Sequence, residues 1–185
     1  MLNEIQEDSK VRMGKTLTSF EGELKRIRSG RASTGLVDHI EVDYYGSSVP
    51  ITQVANVTTE DARTILVTPW EKTMLEVIEK AILASGIGLN PIASADKLRL
   101  PIPSMTEETR REIVKLVKNT AENARVAIRN IRRDVNNDVK ELLKEKEITE
   151  DDLKSSEQII QKQTDSFIEK IDALTASKEE EILSI

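Results

Sequence analysis

The 185-residue chain has no cysteine, which removes disulfide frameworks and thiolate metal or redox sites from consideration. It has one histidine, His39, too few for the imidazole clusters that zinc sites use. No nucleophile arrangement accompanies His39 and the preceding Asp38, so His39 reads as a loop residue. One tryptophan, two tyrosines and two phenylalanines are present. None interleaves with Arg125, Arg129, Arg132 and Arg133, which argues against single-strand recognition by base stacking. Trp70 and the Tyr44-Tyr45 pair are assigned to domain packing. No apolar run approaches the roughly 20 residues of a membrane helix. The N-terminus, MLNEIQEDSK, carries acids where a signal peptide has a basic start and an apolar core. Gly86-Ile-Gly-Leu-Asn-Pro lacks the Lys-Ser/Thr ending of a phosphate loop, and Pro91 obstructs a helix start, so it reads as a turn. Glu150, Asp151 and Asp152 suit helix-start amides rather than a metal. These absences predict a cytoplasmic protein without metal, cofactor or catalytic constellation.

Charge, by contrast, is abundant and unevenly placed. The net charge is −6. Residues 1–30 carry +1, 31–104 carry −3, 105–148 carry +2 and 149–185 carry −6. A general polyanion binder is excluded, yet one face of such a chain could dock on phosphate.

That face is sought in Thr106–Ile148, read as one helix of about 65 Å at 1.5 Å per residue. Ile113, Val117, Ala121, Ala124, Ile128, Ile131, Val135, Val139 and Leu142 step by threes and fours and form one apolar stripe. Lys118, Arg125, Arg129, Arg132, Arg133 and Lys140 fall beside one edge of it. Glu112, Asp134, Asp138, Glu141 and Glu145 fall on the other flank. Arginine's planar fork holds phosphate bidentately, and Arg125, Arg129, Arg132 and Arg133 span just over two turns. That spacing suits successive phosphates of folded RNA read by backbone and shape. A solvated face with intrahelical pairs to Glu122 and Asp134 is the competing account.

Elsewhere, Ile5, Met13, Leu17, Phe20, Leu24 and Ile27 predict an amphipathic helix over Leu2–Arg28, with Gly30 as its left-handed cap. The basic cluster Arg26, Arg28 and Arg31 suits phosphate, and equally suits the helix C-terminus on which it sits. Ile40–Gly46, Val49–Thr52, Val54–Thr58, Arg63–Thr68 and Lys97–Leu100 read as strands, with a turn at Gly46-Ser47-Ser48. Thr73 is a candidate cap for a short helix bearing Met74, Val77, Ile78, Ala81 and Ile82. Thr106 or Ser104 can cap the long helix, and Thr149–Asp152 opens a third helix with a capping-box pattern. Leu153, Ile160, Phe167, Ile171, Leu174 and Ile182 give that helix its stripe.

Three long helices with one stripe each must pack together. The expected architecture is α+β: a long three-helix bundle from 1–30 and 105–185, with a small β/α/β domain, 31–104, inserted between helices 1 and 2. Two linkers join them, and Gly30, Ala32, Ser33, Pro103, Ser104 and Met105 are candidate hinge residues.

Five stretches carry a resemblance that spans the chain: Arg26-Ile-Arg-Ser-Gly-Arg-Ala-Ser, Val42-Asp-Tyr-Tyr-Gly, Gly88-Leu-Asn-Pro, Pro101-Ile-Pro-Ser-Met-Thr-Glu-Glu and Ala124-Arg-Val-Ala-Ile-Arg-Asn-Ile-Arg-Arg-Asp. On these the sequence resembles the bacterial ribosome recycling factors, departing at Thr34, Thr109 and Val135. The resemblance implies an L-shaped molecule with a flexible double linker, monomeric and without a cofactor of its own. It implies binding to large-subunit rRNA of post-termination ribosomes through residues matching Arg132 and Arg129, with Arg28 and Arg31 in the same basic region. Elongation factor G and its GTP would then drive subunit splitting. A structural coiled-coil protein, lacking arginine-dependent RNA binding, and a hydrolase, needing a polar pocket, are the rival classes.

Overall fold

The computed structural model describes residues 1–184. It is α+β, with four α-helices, α1 (Leu2–Arg26), α2 (Leu75–Ala84), α3 (Glu107–Lys144) and α4 (Glu150–Leu183). Six strands complete it: β1 (Glu41–Tyr44), β2 (Ser47–Pro50), β3 (Ala55–Asp61), β4 (Thr64–Pro69), β5 (Ile92–Ser94) and β6 (Lys97–Pro101). Contacts divide the chain into a helical unit, Met1–Leu24 with Val114–Glu181, and an α+β unit, Lys25–Ile113 with Ile182–Ile185. Residues 25–30 and 105–113, assigned to the bundle from sequence, cluster with the α+β unit.

The helical unit buries one stripe from each helix. Met13, Phe20 and Leu24 come from α1, and Ile160, Phe167 and Ile171 from α4. All seven buried residues of α3, Val117 to Val139, belong to the expected stripe. On α4 the apolar residues recur at wide intervals, and Ser156, Thr164 and Thr175 fill the gaps. Thr164 Oγ1 donates to the Ile160 carbonyl at 2.8 Å and Thr175 Oγ1 to that of Ile171 at 2.7 Å, so neither hydroxyl is buried unpaired. Gln6 Nε2 donates to Ser156 Oγ at 3.1 Å, tying α1 to α4.

Helix ends explain where the elements stop. Thr106 Oγ1 accepts the Thr109 N–H at 3.2 Å and caps α3. The helix spans 38 residues, ending at Lys144 rather than continuing to Ile148. There the Lys146 N–H reaches the Leu143 carbonyl and the Glu147 N–H that of Leu142, both at 3.0 Å. Lys146 takes φ 62°, forming a Schellman cap with a residue other than glycine. Likewise α1 ends at Arg26, so Gly30, at φ 86°, lies in the linker and not at the cap.

The capping box of α4 is formed. Asp152 Oδ2 accepts the Thr149 N–H at 2.9 Å, and Thr149 Oγ1 accepts the Asp152 N–H at 3.2 Å. Hydrogen bonds from the Thr149 hydroxyl and N–H hold the Asp152 carboxyl below its usual pKa. A carboxyl depressed on folding stabilises above its unfolded pKa, and the gain is lost as pH falls through the folded value. Thermal melts followed by helicity should therefore find Asp152→Asn less stable than the parent at neutral pH. The gap should close in acid, below the ordinary carboxylate range; a constant gap would refute the cap's role.

In the α+β unit, β1 and β2 form a hairpin, and the four-stranded antiparallel sheet runs β3-β4-β6-β5. The hairpin turn is Tyr45-Gly46, at φ 50° and 88°, a pair of positive values that matches a type I′ turn. Ser47 and Ser48, expected in the turn, belong to β2. Ile51 starts a 3-10 turn rather than extending the strand, and Thr73 lies inside another, Lys72–Met74, leaving α2 without a side-chain cap. The three-residue β5 is absent from the sequence reading because Ile92-Ala-Ser is too short to show a period. Met74, Ile78 and Ile82 join Val42, Ile65, Val67, Leu98 and Leu100 in the core of this unit.

Candidate nucleic-acid interface

The stripe of α3 sets where its arginines stand, because burying Ala124, Ile128 and Ile131 fixes the helix rotation. Each guanidinium then meets a different partner. Arg125 donates from Nε to Asp172 Oδ1 of α4 at 2.8 Å, with Nη2 in ion-pair contact at 2.7 Å, and from Nη1 to Glu122 at 3.1 Å. Burial alone would lower the Arg125 pKa, but its hydrogen bonds to Asp172 and Glu122 outweigh that and raise it. Arg129 Nη1 donates to the other oxygen of Glu122 at 3.1 Å. Hydrogen bonds from Arg125 and Arg129 keep the Glu122 carboxyl below its usual pKa.

Arg132 and Arg133 are held by amides. Arg132 Nη1 donates to Gln161 Oε1 of α4 at 2.8 Å, and Arg133 donates to Asn130. A guanidinium carries five N–H donors, so each retains several for an incoming phosphate. Among the described residues no ion pair is formed by Arg132 or Arg133 (no N···O within 4.0 Å of a carboxylate).

The separation of charges on α3 therefore has a cause in packing as well. Its basic edge meets acids of α4 through Lys118–Glu179, Arg125–Asp172 and Lys140–Glu157. On its acidic flank Asp134 meets Arg12 of α1 at 3.0 Å. Helix pairing engages Arg125 with two carboxylates and leaves Arg132 and Arg133 on neutral amide partners.

Arg28 and Arg31 belong to the α+β unit, and no single cluster within one unit holds all six arginines. Arg28 is half-buried beside Gly88, where an added Cβ would stand 3.6 Å from its Nη1. Arg31 is exposed and borders an open pocket of about 480 Å³ with Ala32, Asp61 and Arg63. The linker residues are unequally tied. The Ala32 N–H donates to the Ala62 carbonyl at 2.8 Å, and Ser33 precedes the 3-10 turn Thr34–Leu36. Gly30, Pro103, Ser104 and Met105 instead line a cavity of about 180 Å³ with Arg28 and the cap residue Thr106.

Two sequence assignments change. Trp70 is 67% and Tyr45 76% exposed, so neither packs the domain; only Tyr44 leans on the core. The two tyrosine hydroxyls donate to opposite oxygens of Glu71 at 2.8 and 2.9 Å, and that bond raises the Tyr44 pKa. His39 is exposed in a turn.

Comparison with known proteins agrees with this architecture over its whole length. The family described as "Ribosome recycling factor" matches residues 20–183. The ribosome-recycling factors of Thioalkalivibrio sulfidiphilus and Legionella pneumophila are 56% and 53% identical to this chain over 185 residues, covering 100% of both sequences in each case. A solution structure of the ribosome recycling factor superposes with a TM-score of 0.83 at 37% identity, covering 100% of this chain and 98% of that one. A T. thermophilus ribosome recycling factor, from models that also place E. coli elongation factor G on the E. coli post-termination complex, gives 0.72 at 45% identity and 99% coverage of both. With sequence, length and fold in agreement from end to end, the chain belongs to the ribosome recycling factor family.

Proposed function

We propose that this chain binds the large ribosomal subunit of post-termination complexes and, with elongation factor G and GTP, splits the ribosome for reuse. The observation that carries this reading is the arginine edge of α3, where Arg132 and Arg133 are held by amides. Their charge is available to rRNA phosphates, which supply most of the affinity in such contacts. Arg129 shares one acid, and Arg125 contributes chiefly by fixing α4 against α3. Arg28 and Arg31 are assigned to the same rRNA surface. The relative placed with elongation factor G on a post-termination complex supports both partners.

Motion during splitting is assigned to the double linker. Ala32, pinned to Ala62, is its stiffest member, and the bend falls at Gly30 and at Pro103-Ser104-Met105. The chain works in the cytoplasm as a monomeric translation factor rather than an enzyme, and the nucleotide is hydrolysed by its partner. No helix among the described residues is long and apolar enough to cross a membrane.

Light scattering of post-termination ribosomes tests this directly. Scattering should fall only when the protein, elongation factor G and GTP are all present. No fall with an active partner would return the chain to the structural-protein class.

A further inference from the structure

The ion pairs between α3 and α4 form a ladder with a regular step. Lys118–Glu179, Arg125–Asp172 and Lys140–Glu157 are its rungs. Moving along α3 by seven or eight residues moves back along α4 by as many, as antiparallel helices with a heptad-like seam require. Between the second and third of these rungs the same step matches Arg132 with Asp165. Yet no ion pair joins them. Gln161, one turn before Asp165 on α4, stands between: its Oε1 accepts from Arg132 at 2.8 Å and its Nε2 donates to Asp165 Oδ1 at 2.7 Å. Only this amide orientation serves both neighbours, since a guanidinium can only donate and a carboxylate can only accept.

We infer that Gln161 is a positioning residue that keeps Arg132 out of an ion pair with Asp165, so that its charge stays available to RNA. This rests on the reading that Arg132 meets rRNA. The amide does two things at once. It anchors the guanidinium with one neutral hydrogen bond, which aims the remaining N–H groups without cancelling the charge. It also holds the Asp165 carboxylate by one of its two oxygens, through Nε2 at 2.7 Å. A phosphate approaching Arg125 must displace two carboxylates; one approaching Arg132 displaces none.

The experiment is equilibrium binding of the full chain to purified large ribosomal subunits over a series of salt concentrations, with helicity melts of each variant. Gln161→Leu removes the amide and lets Arg132 close on Asp165. Its affinity should fall about tenfold, and the slope of log K against log salt should shrink by about 0.7–0.9, one phosphate contact. Its melting temperature should not fall, because an interhelical ion pair is gained. The double variant Gln161→Leu with Asp165→Asn should recover both affinity and slope, which a merely structural role for Gln161 would not produce. Parent-like binding of Gln161→Leu, or a double variant that stays weak, would overturn the inference while leaving a weakened Arg132→Ala to uphold the RNA contact. Parent-like binding of Arg132→Ala itself would overturn both.

Discussion

Replacing Arg132 by alanine should weaken binding to the large ribosomal subunit by about 1.5–3 kcal/mol, the range for hydrogen bonds to a charged group. That is roughly ten- to more than a hundredfold in the dissociation constant. The expectation follows from how the side chain is held. Arg132 donates to a neutral amide at 2.8 Å, so its removal leaves no buried carboxylate behind and costs little folding stability. Arg125→Ala is the instructive contrast. It removes a side chain only 22% exposed that joins α3 to Asp172 of α4, and should show mainly as a lower melting temperature. Arg132→Lys should fall between, keeping the charge and losing the planar fork. Binding at one fixed salt concentration, read beside thermal melts, separates these cases. If Arg125→Ala lost more affinity than Arg132→Ala at equal folded fraction, the division of labour drawn here would be reversed.

This division is where sequence and structure part company. The stripe of α3 was legible because its period is local: residues three and four apart share a face whatever the rest of the chain does. The sorting of its charges was equally legible, but not its double cause. Arg125 and Arg132 stand seven residues apart on the same edge and look alike in sequence. Their partners, Asp172 and Gln161, lie on another helix 47 and 29 residues away. No periodicity within α3 distinguishes them. Hydropathy misled in two further places. Thr164 and Thr175 have no place in the apolar stripe of α4 drawn from sequence, yet are buried, and each hydroxyl is satisfied on its own helix. Trp70 and Tyr45 read as core yet stand in solvent, since burial of a large aromatic is a matter of where the sheet ends. The turn at Tyr45-Gly46 was displaced by one residue because tyrosine rarely accepts a positive φ. Here its hydroxyl is anchored on Glu71.

Phe20 provides the largest expected effect on stability. It is among the bulkiest fully buried side chains, 2% exposed, and α3 faces it with small residues. Phe20 shares a groove of about 290 Å³ with Thr16, Ser19 and Glu23 of α1 and with Thr120, Asn123, Ala124 and Ala127 of α3. Truncating a side chain this deeply buried removes its packing and leaves a cavity behind. Phe20→Ala should therefore lie fully in the range for a core aromatic, about 3–5 kcal/mol. That is a large share of the 5–15 kcal/mol by which a domain is usually stable. The melting temperature should drop by about 10 °C for a chain of this length. Phe20 is a core residue of α1 and not one of the arginines assigned to RNA, so binding to large subunits should be unchanged per folded molecule when measured in the cold. A loss of affinity that appears only as the variant begins to melt would assign Phe20 to holding α1 against α3. A melting temperature within about 2 °C of the parent, less than 1 kcal/mol at this size, would mean that the helices close over the gap and that the packing of this seam does not depend on Phe20.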